Sequence, residues 1–184
     1  MDSLKGNFLI AMPAMADFNF SHTVTCISEH TSDGALGIIV NRVLPAVSAK
    51  SIFEELKLTY TENAEKIPIH IGGPVHENEI FILHGAPFSW EGSLMITPTL
   101  AMSNTMDVIQ AVAGGQGPES FIIALGCAGW GPGQLEYEIA QNSWLTCPIN
   151  EKIVFESPME VRWYEAVKLL GIDPMLLSET PGHA

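Results

Sequence analysis

The chain has 184 residues, 47% of them hydrophobic and 16% charged, enough for one domain with its own core and too apolar for a disordered, collagenous or coiled-coil chain. Eight Lys and Arg stand against 21 Asp and Glu, a formal net charge of −13, which argues against a nucleic-acid groove because such binding rests on cations that neutralise phosphates. Cys26, Cys127 and Cys147, an odd count without a CxxC pair, and the lack of any apolar run near the roughly 20 residues of a spanning helix point to a cytoplasmic protein that enters no membrane.

In chain order, Phe8 to Met12 reads as a first strand. Thr23 to Glu29 and Ala35 to Asn41 are rich in β-formers and flank Thr31-Ser32-Asp33-Gly34, so a hairpin is expected there. Ser51 and Glu54 form a capping box that opens a short helix to about Leu58, with Ile52, Phe53 and Leu56 on one face. Ile67 to Ile71, Glu79 to His84 and Ser93 to Thr97 have the spacing of neighbouring antiparallel strands in a meander.

Met106, Ile109, Val112 and Ala113 recur at helical spacing within Asn104 to Ala113, and Gly114-Gly115 ends that helix. Phe121 to Leu125 is a buried strand, Gly126 to Gly133 a glycine-rich connection, Gln134 to Asn142 a helix, and Trp144 to Cys147 and Ile153 to Phe155 late strands. Ser157-Pro158-Met159-Glu160 carries a second capping box, followed by a stripe of Val161, Tyr164, Val167 and Leu170 that Gly171 closes. Ser178 to Ala184 reads as a frayed tail. Helices and strands mix without βαβ alternation and no linker divides them, which predicts a single α+β domain over 1–184 with a mainly antiparallel sheet.

Between Lys66 and Lys152 lie 85 residues with no Lys or Arg and eight Asp or Glu. The glycine-rich segment therefore has no Walker lysine, and it is out of register for GxGxxG. Its backbone amides at a helix start are candidates for an anion or an oxyanion. Cys127 sits at the strand end without the glycine spacing of a nucleophile elbow and reads as a buried structural cysteine. His22, His30, His70, His76 and His84 match no zinc spacing, and no metal or other cofactor is expected. Glu136 and Glu138, two apart on one helix, face different ways and cannot act as a carboxylate pair. The basic cluster Lys50, Lys57 and Lys66 is diluted by Glu54, Glu55, Glu62 and Glu65, so direct nucleic-acid binding is not expected.

Four segments together resemble the YqgE/AlgH family: Leu4 to Pro13 with Asp17 and Phe20; Glu29-His30 through Gly34-Ala35-Leu36-Gly37 to Asn41; Gly72-Gly73-Pro74-Val75 with Phe81, Leu83 and His84; and Gly126 through Trp130 and Gly133-Gln134-Leu135-Glu136 to Trp144. The resemblance implies an α+β pseudo-barrel around a branched sheet with helices packed outside, and a regulatory role without an established biochemical activity. The candidate rim comprises Glu29, His30, Asn41, Gly73, His84, Gly129, Trp130, Gly133, Gln134 and Glu136. Two functions are open on it: a regulatory or adaptor protein binding a protein partner or a small-molecule ligand, and a hydrolase or transferase using His30 or His84 as base with the glycine-rich loop.

Overall fold

The computed structural model describes residues 2–177, so the frayed-tail expectation for 178–184 lies outside the described residues. These residues form strands β1 (Asn7–Ala11), β2 (Val24–Thr31), β3 (Gly34–Ile39), β4 (Val43–Ser48), β5 (Pro68–Ile71), β6 (Val75–His84), β7 (Leu94–Thr97), β8 (Leu100–Ser103), β9 (Phe121–Trp130) and β10 (Trp144–Pro148). The α-helices are α1 (Ala49–Glu55), α2 (Met106–Ala113), α3 (Gln134–Ala140), α4 (Glu151–Phe155) and α5 (Arg162–Leu169). The expected α+β class with a mainly antiparallel sheet is what the chain adopts. No described helix is long and apolar enough to cross a membrane.

The strands run in the order β10-β1-β2-β3-β9-β6-β8-β7, and the sheet branches at β9. Along Ile123 to Leu125 this strand pairs β5 in parallel and β6 antiparallel, and along Ala128 to Trp130 it pairs β3. The sheet curls without closing into a barrel: β10 and β7 remain its two ends, and Gly6, just before β1, lies beside the Ile96 carbonyl of β7.

Period-2 alternation sorts each strand's side chains between faces. The inner face holds the main core, with Phe8, Ile10, Cys26, Ile38, Leu83, Leu100, Ile122 and Ala124, closed by Trp163 and Val167 of α5. Ile69, Ile82 and Ile123 point the other way and pack on Ile52 and Phe53 of α1 and Val108 and Ile109 of α2. A third cluster joins Leu9, Ile27, Ala128, Trp130 and Trp144 to Leu135 of α3. Because β9 contributes to all three clusters, it is buried along almost its whole length.

Several local expectations change. The segment from Gly126 is a strand as far as Trp130, because β3 pairs its last residues; only Gly131 to Gly133 is a connection. Ile153 to Phe155 is the end of α4, started by Asn150, whose side chain accepts the Lys152 amide. The meander does not form: β5 and β6 both lie against β9, and β8 separates β6 from β7. Strands β4 and β8 were not anticipated: β4 carries Pro45 within it, and the four residues of β8 are all buried, so neither shows alternation.

Neither capping box forms. Helix α1 starts at Ala49, and the Ser51 hydroxyl donates to the Ser48 carbonyl. A 3₁₀ turn, Met159–Val161, precedes α5, and Ser157 bonds Glu165 instead. The inward face of α5 is Arg162, Trp163, Ala166 and Val167, turned from the expected stripe, and Tyr164 is exposed. The Trp163 indole N–H, which donates to the Ala11 carbonyl at 2.9 Å, fixes that rotation. In α2 the buried face takes in Val108, and Met106 is exposed.

One core residue makes stability depend on acid. His70, on β5, is 2% exposed and neither ring nitrogen meets hydrogen-bond geometry. Burial first, and then the buried Arg162 charge, pull its pKa from 6.5 down to about 4, with the Ile123 backbone opposing. Between those values the unfolded chain binds a proton that the folded chain refuses, so stability present above pH 6.5 is lost as pH falls towards 4. The full loss is about 3 kcal/mol at 1.36 kcal/mol per pKa unit. Urea midpoints measured from pH 7 to 4 should fall more steeply for the native chain than for His70→Leu; parallel curves would contradict this assignment.

Candidate functional site

The β2–β3 hairpin closes with Thr31 opposite Gly34, leaving Ser32-Asp33 as a two-residue turn. Its far strand lies on the end of β9, with Ala35 opposite Trp130 and Leu36 opposite Gly129. The chain then turns through Gly131 to Gly133, where Gly133 has φ +72 and precedes α3. That path brings Glu29, His30, Gly129, Trp130, Gly133, Gln134 and Glu136 to one end of the sheet. Glu29, Gly34 and Trp130 border a shallow cleft of about 190 Å³ there.

Of the other three rim residues, Asn41 and His84 lie elsewhere and Gly73 sits beside β9. Asn41 ties the start of β2 to the end of β3: its Oδ1 accepts the Val24 amide and its Nδ2 donates to the His22 carbonyl, both at 2.8 Å. Gly73 is pressed against the Cys127 and Ala128 backbone. His84 pairs with Phe121, at the opposite end of the ten-residue β9 from Trp130, roughly 30 Å away at about 3.3 Å per residue. The pairing of His84 with the glycine-rich loop in one active centre is therefore excluded by the strand between them.

His30 does meet the loop region, but both ring nitrogens are occupied. Nδ1 accepts the Leu4 amide at 2.9 Å, which leaves the proton on Nε2, and Nε2–H donates to Glu136 Oε1 at 3.0 Å. No lone pair remains for a substrate proton. The imidazole side chain is 5% exposed. The Glu136 carboxyl is held below the usual carboxylate range by its own backbone N–H at the start of α3 and by His30. Together they form a clasp joining residues before β1, the end of β2 and α3. The Ser3 hydroxyl reinforces it by donating to the His30 carbonyl at 3.0 Å.

The clasp predicts a stability effect. His30→Ala leaves the Leu4 amide and Glu136 without their partner and should destabilise the chain by about 2 kcal/mol, the cost of stranding a part-buried donor plus a lost charge-assisted bond. A chemical denaturation curve measures it, and an unchanged midpoint would remove the clasp's structural role.

Two glycines of this segment are likewise engaged. Gly131 N–H donates to Gln134 Oε1 at 3.0 Å, and Gly129 lies within the β3–β9 pairing. Cys127 is fully buried, and burial followed by the Glu79 charge pushes its thiol up to about 11, so it is a protonated core residue. Burial raises the Cys26 and Cys147 thiols too. Among the described residues no three His, Cys, Asp or Glu converge as metal ligands.

Glu138, which the sequence only separated from Glu136 by helix face, is a further polar anchor of this region. Its Oε2 accepts the indole N–H of Trp130 at 3.0 Å and of Trp144 at 2.8 Å, and its Oε1 accepts from Gln134 Nε2 at 2.9 Å. Phe20 stacks on Trp130 at 5.7 Å and meets Trp144 edge-on at 5.4 Å. The signal in the sequence was a carboxylate between two tryptophans, since a buried indole N–H needs an acceptor.

Compared with known proteins, residues 8–175 match the AlgH-like family, DUF179. A UPF0301 protein of Desulforapulum autotrophicum is 48% identical over 98% of this chain and 96% of its own length. One from Chromohalobacter salexigens is 44% identical over the whole of both chains. The solution structure of the AlgH protein from Pseudomonas aeruginosa superposes with a TM-score of 0.83 at 43% identity, covering 100% of this chain and 97% of that one. A crystal structure from Corynebacterium diphtheriae, at 20% identity and a TM-score of 0.69 over 92% of this chain and 88% of that one, shares the fold. On sequence along its whole length and on the arrangement of its sheet, the chain belongs to the AlgH-like family.

Proposed function

We propose that the protein is a cytosolic regulatory or adaptor protein that acts by binding a protein partner or a small ligand, without contacting DNA directly. The observation that carries this reading is the occupancy of His30: with one nitrogen accepting the Leu4 amide and the other donating to Glu136, the residue best placed to be a base at the glycine-rich loop is part of the scaffold. The rim at the β2–β3 hairpin, with Glu29, Trp130, Gly133 and Gln134 held rigidly by that scaffold, is the proposed contact surface. A net charge of −13 favours a basic partner surface and disfavours nucleic acid.

The test is native mass spectrometry of the protein purified gently from its own cells, alongside fluorescence anisotropy with a labelled DNA duplex at physiological salt. The expected result is a stoichiometric complex with a polypeptide or small molecule and no anisotropy change. Salt-dependent duplex binding, or a chain that carries no stoichiometric companion, would overturn the reading.

A further inference from the structure

At the opposite end of β9 from the clasp, four polar groups form a directed chain. His84 Nδ1 lies 2.7 Å from the Gly85 carbonyl, which only accepts, so this nitrogen carries the proton. Nε2 of the neutral ring then has a lone pair, and the Ser103 hydroxyl, 2.8 Å away, donates to it. With its proton committed, the Ser103 oxygen accepts from Ser93, again at 2.8 Å. His84 is 0% and Ser103 1% exposed, whereas Ser93, in the turn before β7, is only partly buried. The chain of donors thus begins at the one hydroxyl that reaches the surface and ends on an imidazole oriented by a fixed carbonyl. A nucleophile, a base and a group that orients the base are the parts of an activated hydroxyl.

We propose that Ser93 is a nucleophile that accepts an acyl group from an ester or thioester, using His84 as base through Ser103. Ser93 Oγ bonds to the acyl carbon while its proton passes to Ser103 and the Ser103 proton passes to His84 Nε2. The carbon–oxygen or carbon–sulfur bond of the substrate breaks, and the imidazolium returns a proton along the same route to the departing alkoxide or thiolate. Water then releases the carboxylic acid by the reverse proton path, with no change of oxidation state.

Two observations support the assignment. Burial pulls the His84 pKa below the ordinary histidine value, against the opposing bond to Gly85, so the ring is a neutral base at pH 7. Phe88, whose ring centroid is 6.0 Å from that of His84, also lines a cleft of about 430 Å³ with Gly85 and Phe155 and with Glu151, Lys152 and Glu156, so partly apolar, partly charged open space lies near the imidazole end of the relay. The inference goes beyond the binding reading and concerns the other end of the sheet, so its failure leaves that reading intact.

The full-length chain is incubated with an alkyl fluorophosphonate, which forms a Ser–O–P bond as fluoride leaves, and the adduct is located by peptide mass spectrometry. A single adduct on Ser93 is expected, with labelling slowed by about a hundredfold in Ser103→Ala and in His84→Gln, the usual contribution of a general base. Circular dichroism melts check that each variant folds, and the nearly isosteric Ser103→Ala suffices should His84→Gln not fold. Absence of an adduct on Ser93 in the native chain, or equal labelling in folded Ser103→Ala, would overturn the proposal.

Discussion

A Gly73→Ala chain is expected to fail to reach the native state. Gly73 has φ +152, a conformation that L side chains rarely adopt, and a Cβ there would lie closer than 3.0 Å to the Cys127 carbonyl and the Ala128 nitrogen of β9. Both obstacles are backbone of the strand at which the sheet branches, so neither can swing aside as a flexible side chain would. Strain and overlap together should cost more than about 4 kcal/mol, comparable with the whole stability of many domains of about this size. Gly133→Ala is the matched control: φ is +72, but nothing lies within 4 Å of its Cβ, so only about 1 kcal/mol of backbone strain is added. Soluble yield and thermal melts separate the two, and a Gly73→Ala protein melting within a few degrees of the native chain would refute the account.

The second large effect is expected at Glu138. In Glu138→Ala the Trp130 and Trp144 indoles, 5% and 4% exposed, keep buried N–H groups that lose their common acceptor. At about 1 to 3 kcal/mol for each stranded donor, the loss should be about 4 kcal/mol. Glu138→Gln keeps one acceptor oxygen and should lose about half as much. Urea denaturation followed by tryptophan fluorescence reads both the stability and the indole environment. A loss below about 1 kcal/mol for Glu138→Ala would show that the indoles find other acceptors.

The residue types explain which expectations held. The hairpin at Thr31 to Gly34 was legible because a short polar turn segment between β-rich runs specifies its own pairing within a few residues, although the turn residues are Ser32-Asp33 and Gly34 is already paired with Thr31. The buried strand from Phe121 was legible because an apolar run with no charge has nowhere to go but the core. Its extension to Trp130 was not, because glycine-rich sequence pairs as a strand only when a neighbour such as β3 supplies the partners. The helix at Glu151 to Phe155 was hidden by β-branched Ile153 and Val154, whose strand preference yielded to the Asn150 cap and to packing in the main core.

At the site, residue types alone separated Glu136 from Glu138, since two positions apart on a helix means different faces, and they meet His30 and the tryptophans respectively. Two-residue spacing does not say what either carboxylate faces, because each partner arrives from another strand. The ten-residue rim divided for the same reason: His30 and Glu136 are 106 residues apart and bonded, while His84 sits at the far end of the very strand that ends at Trp130. By itself the sequence determined the acidic balance, the mixed class and the elements whose turns or apolar runs are local. Only the tertiary structure decided the branching at β9, the occupancy of His30 and the Ser93–Ser103–His84 chain, because hydrogen-bond partners and strand neighbours are set by contacts between segments whose spacing in sequence leaves no periodic trace.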